Sequence, residues 1–316
     1  MQLRKLGTTD LEIAPLVLGG NVFGWTADRE TSFAILDAFL EAGFNAIDTA
    51  DVYNRFVPGK QGGESETLIG EWMKDRGVRD RVVIVTKGGL SMGEGLEGLG
   101  RDYLPKACEA SLRRLQTDRI DVYMAHRADP GVPIEETLET FQGLVDAGKV
   151  RYAGCSNYTA EELSAALAAA GGGGRARYAV VQPQYNLVER VSYEGALETV
   201  CAENRLGVIT YFALAAGFLT GKYRSRRDLE GRARVRSASQ YMTPRGLKLL
   251  EALDGVATRH GATNAQVALA WIMARPSVTA PIASATSVDQ LRDILKSAEL
   301  KLAPEDFAAL DLPPTD

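Results

Sequence analysis

Four residues of complementary chemistry follow short apolar runs in the first half of the chain. The stretch 44–53, FNAIDTADVY, brings Asp48 to the end of one such run and Tyr53 onto the loop behind it; RVVIVT (81–86) delivers Lys87, and IDVYMA (120–125) delivers His126. A free tyrosine has a pKa of about 10, so near neutrality it is too weak a proton donor by roughly three units, on the order of 4 kcal/mol. A nearby ammonium favours the phenolate and moves such a pKa by about one to three units. A carboxylate paired with the lysine holds it in place, and an imidazole donates to, or orients, the carbonyl that receives the proton. The set is a proton relay for carbonyl reduction or alcohol oxidation. Taken singly, each residue has a plainer reading: a cap or turn aspartate, a solvated lysine, a structural histidine. Their joint occurrence at the ends of successive strands sets those readings aside.

The elements that must position them alternate along the chain. Two extended runs around 7–10 predict a hairpin. Buried strands are then expected at 15–18, 45–47, 81–86, 120–125, 150–154, 178–182, 207–212 and 278–282. Helices are expected at 28–42, 64–74, 102–116, 133–147, after a Thr159 cap, and at 194–204, 244–260, 264–274 and 288–298, with one more over 302–310. Eight strands alternating with helices predict an α/β protein, a single (β/α)8 TIM barrel over 1–316 with an N-terminal β-hairpin and extra helices.

The stretch 217–245 is the least regular. It carries Lys222, Arg224, Arg226, Arg227, Arg232, Arg234, Arg236 and Arg245 with little apolar content, either a solvated loop or a strap over an anionic diphosphate that docks only when ligand is bound. Gly217, Gly221 and Lys222 suggest a phosphate-binding loop, but the glycines stand one residue too close and Tyr223 replaces the hydroxyl that would hold magnesium.

Composition narrows the class. An apolar fraction of 45% supplies a core, and a net charge of −5 with no strongly basic half argues against nucleic acid. No apolar run reaches membrane length and the amino terminus lacks a basic-then-apolar signal, so a cytoplasmic protein is expected. Cys108, Cys155 and Cys201 share no ligand spacing and read as reduced; the only histidines, His126 and His260, lie far apart, so no metal site is expected. His260, before Gly261, reads as a helix carboxyl end.

In type, order and spacing, Asp48, Tyr53, Lys87 and His126 resemble the catalytic tetrad of the aldo-keto reductases. Gly154-Cys155-Ser156-Asn157, Gln182-Pro183-Gln184-Tyr185-Asn186 and the run 217–223 are similar to that family's cofactor-side segments, and the likeness spans nearly the whole chain. It implies NADP(H), possibly NAD(H), as cofactor, with Ser156, Asn157 and Gln182 on the carboxamide and Tyr211 stacked on the ring. It further implies cofactor contacts at Phe212 and Leu214, just after the stacking aromatic, Gly217, Leu219 and Lys222 in the segment near the diphosphate, and Ser284, Thr286, Gln290 and Asp293 at the adenosine end. The chain departs from the family where Phe212-Ala213-Leu214 replaces Ser-Pro-Leu, where 282–286 replaces Ile-Pro-Gly-Ala, and where Ile294 replaces an adenine-binding Asn. A small-molecule carbonyl or alcohol is the expected partner, with Trp25, Phe56, Arg127 and Tyr158 on rim loops around it. No long terminal loop follows the last helix, so the pocket is open or completed in a homo-oligomer. Two rival classes stand beside this one: a regulatory subunit similar to the potassium-channel β subunits, and a barrel lyase or isomerase using Asp48 and His126.

Overall fold

The computed structural model describes residues 1–231 and 235–311, the side chains of 235 and 236 excepted. An antiparallel hairpin, β1 (Arg4–Lys5) with β2 (Glu12–Ile13), precedes eight parallel strands that close on themselves. These are β3 (Val17–Gly19), β4 (Ala46–Asp48), β5 (Val83–Gly88), β6 (Ile120–Ala125), β7 (Val150–Ser156), β8 (Val180–Gln182), β9 (Gly207–Thr210) and β10 (Ala280–Ala283), with β10 pairing both β3 and β9. The strands read as apolar runs because helices cover one face and the barrel interior the other; β5 and β6 are buried at every position.

The period of two along a strand sorts side chains into two cores. Val17, Ala46, Val83, Val85, Val122, Met124, Val180, Ile209, Ala280 and Ile282 fill the interior, together with Leu6, Leu11 and Ile13 from the hairpin, which plugs the amino-terminal end. Ile47, Ile84, Tyr123, Ala153, Cys155, Val181 and Val208 face outward, into the layer between barrel and helices. Continuing the inward series one step past each strand's apolar part reaches Asp48, Lys87, His126, Ser156, Gln182, Tyr211 and Ser284. All seven therefore arrive on the inner side at the carboxyl-terminal mouth.

The helices are α1 (Arg29–Glu41), α2 (Glu64–Arg76), α3 (Leu104–Leu115), α4 (Ile134–Asp146), α5 (Ala160–Ala169), α6 (Ala196–Glu203), α7 (Val235–Ser239), α8 (Pro244–His260), α9 (Asn264–Met273), α10 (Val288–Leu295) and α11 (Pro304–Leu310). Asp28 caps α1 by accepting from Thr31 N, and Thr159, the expected cap, forms a capping box with Glu162. Gly70 is a packing requirement: a Cβ there would lie 2.2 Å from the Arg114 carbonyl, so α2 and α3 approach backbone to backbone.

Two expectations are corrected. The seventh barrel strand ends at Thr210, because Phe212 takes a left-handed φ of 55° and turns the chain out of the sheet. The stretch 217–245 has more docking surface than its composition suggests. Tyr223, Leu229 and Ala238 bury with Ala216 in a small separate cluster, Arg224 pairs with Asp254 at 2.6 Å, and two 3-10 turns order 215–220 and 226–229. A few well-spaced apolar residues suffice where charges also find partners. Arg232, Arg234 and the Arg236 side chain lie outside the described residues.

Candidate active site

Lys87 is almost wholly buried, so each of its N–H groups needs an acceptor. Nζ donates to Asp48 Oδ1 and Oδ2 at 2.8 and 2.9 Å, to the Thr49 carbonyl at 2.7 Å and to Tyr53 Oη at 3.1 Å. The Tyr53 hydroxyl in turn donates to Asp48 Oδ2 at 3.1 Å. Acid, amine and phenol thus close a triangle. Gln182 reaches across the mouth and donates from Nε2 to Asp48 Oδ1 at 2.8 Å.

The loop carrying Tyr53 is pinned at both ends. Thr49 N and Asp51 N donate to the Val85 and Lys87 carbonyls, extending the β4–β5 ladder past the strand. Asn54 then adopts φ 74° while its buried Nδ2 donates to the Phe23 carbonyl at 2.7 Å, a turn that asparagine tolerates and that swings Tyr53 back over the barrel. Its role depends on Phe23, which is distant in the chain.

Electrostatics corrects one step of the sequence argument. Lys87 was expected to draw the phenol toward phenolate, yet the Tyr53 pKa is raised well above its ordinary value, by burial first and then by the Asp48 charge. Burial lowers the Lys87 pKa and the pairing with Asp48 opposes that shift. The ammonium's charge is shared with a carboxylate, so little is left over to stabilise a phenolate at rest. His126 sits beside Tyr53, ring centroids 6.3 Å apart, and is held neutral with a pKa of about 3 by burial, with Lys87 and Arg127 adding to the effect. Its Nδ1 is buried without a partner among the described residues.

Tyr53 and His126 open onto a cavity of about 390 Å3 that Val52, Arg55 and Phe56 complete. A cavity of about 450 Å3 lies at the hairpin end, lined by Arg4, Arg205 and Thr279 among others, but no relay residue reaches it. Phe56 is 67% exposed and meets Trp25 edge to face at 5.1 Å, an aromatic wall on the rim. Arg127 is exposed on the opposite loop. Tyr158 is corrected: it is buried against Tyr178, hydroxyl to hydroxyl at 3.1 Å, on the outer side of the barrel and away from the rim. Val52 and Arg55 were not foreseen, since nothing in their local sequence marks a pocket wall.

On the cofactor side the expected residues meet, largely through one another. Ser156 Oγ donates to the Gln182 carbonyl, Asn157 Nδ2 to the His126 carbonyl, and Tyr211 Oη to Asn157 Oδ1 at 2.7 Å. Phe212 is exposed, its carbonyl held by Asn186 Nδ2, and Leu214 starts a turn in which Ala215, Ala216 and Gly217 have positive φ. Leu219 is fully buried and its N–H donates to the Leu214 carbonyl. Lys222 is exposed beside Gly217. Ser284 donates to Asn21, Thr286 to Gln290 Oε1, and Asp293 accepts from Thr263 and Gln266. Ile294 faces the core.

With the barrel closed and this triangle at its carboxyl-terminal mouth, the comparison with known proteins is decisive. A sequence profile of the aldo/keto reductase family matches residues 15–312. The chain belongs to that family. Among similar aldo-keto reductases and their relatives, Uncharacterized oxidoreductase YrpG of Bacillus subtilis is 34% identical, covering 96% of this chain and 93% of that protein. Aldo-keto reductase YhdN of the same organism is 32% identical over 97% and 91%. A protein of Oryza sativa subsp. japonica named Probable voltage-gated potassium channel subunit beta is 32% identical over 95% and 92%. The family is one of oxidoreductases built on the (β/α)8 barrel. Among the described residues no helix is long and apolar enough to cross a membrane.

Proposed function

We propose that this aldo-keto reductase interconverts a small aldehyde or ketone and its alcohol, with NAD(P)(H) as hydride carrier and Tyr53 as general acid and base. The observation that carries the reading is the Lys87–Tyr53–Asp48 triangle opening, through Tyr53 and His126, onto the cavity of about 390 Å3.

The residues present fit a nicotinamide cofactor. Tyr211 is a half-buried aromatic tethered at its hydroxyl by Asn157 and Gln184, which leaves a ring fixed in orientation to serve as a floor. Ser156, Asn157 and Gln182 form a mutually bonded amide and hydroxyl edge beside it. The left-handed turn at 215–217 and exposed Lys222 suit close approach of a diphosphate. Ser284, Thr286, Gln290 and Asp293, with the N-terminus of α10, would meet the adenosine end. When bound, the cofactor supplies or accepts the hydride at the carbonyl carbon.

The chain's own part is the proton. At rest the Tyr53 hydroxyl donates to Asp48; rotation about its C–O bond turns the proton toward a carbonyl oxygen in the cavity. The Lys87 N–H is already on Tyr53 Oη, so negative charge developing there meets a donor without rearrangement. Neutral His126 offers an N–H to the same carbonyl and carries no charge to be neutralised. Trp25, Phe56 and Arg127 border the substrate.

The test is nicotinamide oxidation with a panel of aldehydes and ketones, and reduction with alcohols. Turnover lost in Tyr53→Phe supports the reading; absence of any carbonyl-dependent turnover by the native protein sinks it. A regulatory role, suggested by the names of the potassium-channel relatives, predicts cofactor binding without turnover. A lyase or isomerase predicts activity without cofactor, and leaves the Lys87 contacts with no purpose.

A further inference from the structure

Behind the relay, on the outer side of β5, lies a second carboxyl group that the proposed chemistry does not use. Asp51 lies on the loop that follows Asp48 at the end of β4; its N–H donates to the Lys87 carbonyl, while its side chain is 1% exposed and neither oxygen has a partner among the described residues. The nearby Val52 N–H favours the charged form but does not reach hydrogen-bonding geometry. Tyr123 from β6 ends at the same place, its buried hydroxyl also without a partner among the described residues. Gly88 leaves the space between them: a Cβ there would stand 2.2 Å from Tyr123 Oη and 3.5 Å from Asp51 Oδ2.

Every element packed around Asp51 contributes charge, but none of it is free to compensate this group. Glu66 on α2 is buried, accepting from Thr86 Oγ1 at 2.6 Å and from Arg114 Nε of α3 at 2.7 Å, so the arginine is committed to it. Lys87 from β5 is committed to Asp48. Tyr103, ahead of α3, completes the surroundings. A buried carboxylate with no donor and a second carboxylate close by is the arrangement that keeps an acid protonated.

We propose that Asp51 is a positioning residue for the relay, held as a neutral carboxylic acid behind Lys87, and that its ionisation sets the alkaline limit of carbonyl reduction. When Asp51 loses its proton, a negative charge appears close to the Lys87–Tyr53 pair. Charge developing on Tyr53 Oη as it gives up its proton is then opposed, and reduction slows. Burial, reinforced by Glu66, lifts the Asp51 pKa to about 8, which places this limit just above neutrality. The inference rests on Tyr53 being the acid, so one test is independent of turnover.

In the cofactor-free protein at pH 7, infrared spectroscopy should show the carbonyl stretch of a buried protonated carboxylic acid that disappears as pH rises through about 8 and is missing in Asp51→Asn. Stability should agree. The folded protein keeps a proton that the unfolded chain releases near 3.8, so the contribution of Asp51 to native stability falls as pH rises from about 4 to about 8 and is level above. Asp51→Asn should remove that fall and melt higher than the native protein at pH 8. In the pH profile of reduction, the alkaline limb of Asp51→Asn should move at least one unit upward, whatever its level of activity, and Asp51→Glu should keep a limb near the native position. A native infrared spectrum without the protonated band at pH 7 overturns the neutral acid. The band present with superimposable native and Asp51→Asn profiles overturns its role in the relay.

Discussion

Gln182 Nε2 and Asp48 Oδ1, 134 residues apart in the chain, meet at 2.8 Å across the barrel mouth. With Lys87 on both carboxylate oxygens and the Tyr53 hydroxyl on Oδ2, Asp48 is fully surrounded by donors. A carboxylate so held fixes where the ammonium and phenol can sit.

Tyr53→Phe removes the donated proton and leaves the Tyr211 floor untouched. Turnover should fall by at least a hundredfold while reduced cofactor, followed by fluorescence titration, binds with nearly native affinity. Activity within about tenfold of native, a difference of roughly 1.4 kcal/mol, would show that another group is the acid.

Lys87→Met should cost both function and stability. Without the N–H on Tyr53 Oη, turnover should drop by two to four powers of ten, roughly the usual worth of acid–base catalysis. Asp48 would also be left buried without its cation, a loss of about 3–5 kcal/mol that urea unfolding would read. Turnover within about tenfold of native, a difference of roughly 1.4 kcal/mol, would remove Lys87 from the mechanism.

His126 should remain neutral across the working range. With its pKa lowered from 6.5 to about 3, the unfolded state binds more protons at this group than the folded one between those values, so the His126 contribution to stability is full above pH 6.5 and declines as pH falls toward 3. Imidazole NMR signals of His126 should not move between pH 5 and 8, and His126→Gln should flatten the acid decline. Titration of His126 near 6.5 would contradict its burial.

Cofactor preference should be modest. Ser284, Thr286 and Gln290 are hydroxyl and amide groups already bonded within the protein, and the first cation of α10, Arg292, is exposed a turn into the helix. Hydroxyls and a helix N-terminus hold a phosphate with less charge discrimination than a forked guanidinium. NADPH should bind about ten- to a hundredfold more tightly than NADH, roughly 1.4 to 3 kcal/mol. A preference above a thousandfold would point to a further cation at the 2′-phosphate, and equal affinities to no recognition of it.

Strand periodicity and strand-end residue types are local properties, and from them the sequence alone determined the barrel, its hairpin, and the delivery of Asp48, Lys87 and His126 to one end. Helix limits followed from caps and glycines in the same way, with 244–260 matched at both ends. What only the tertiary structure decided depends on which distant groups share a buried space. Tyr158 looked like rim and proved to be outer core because Tyr178 stands opposite it. The stretch 217–245 looked too polar to dock, but its few apolar residues converge on Ala216. The sign of the Tyr53 shift could not be read from Lys87's presence, because it turns on burial and on Asp48 taking the ammonium's charge. Asp51 carried no signal beyond being an acid on a loop; its isolation arises only where β5, β6, α2 and α3 pack, since desolvation is a property of the folded surroundings and not of the residue.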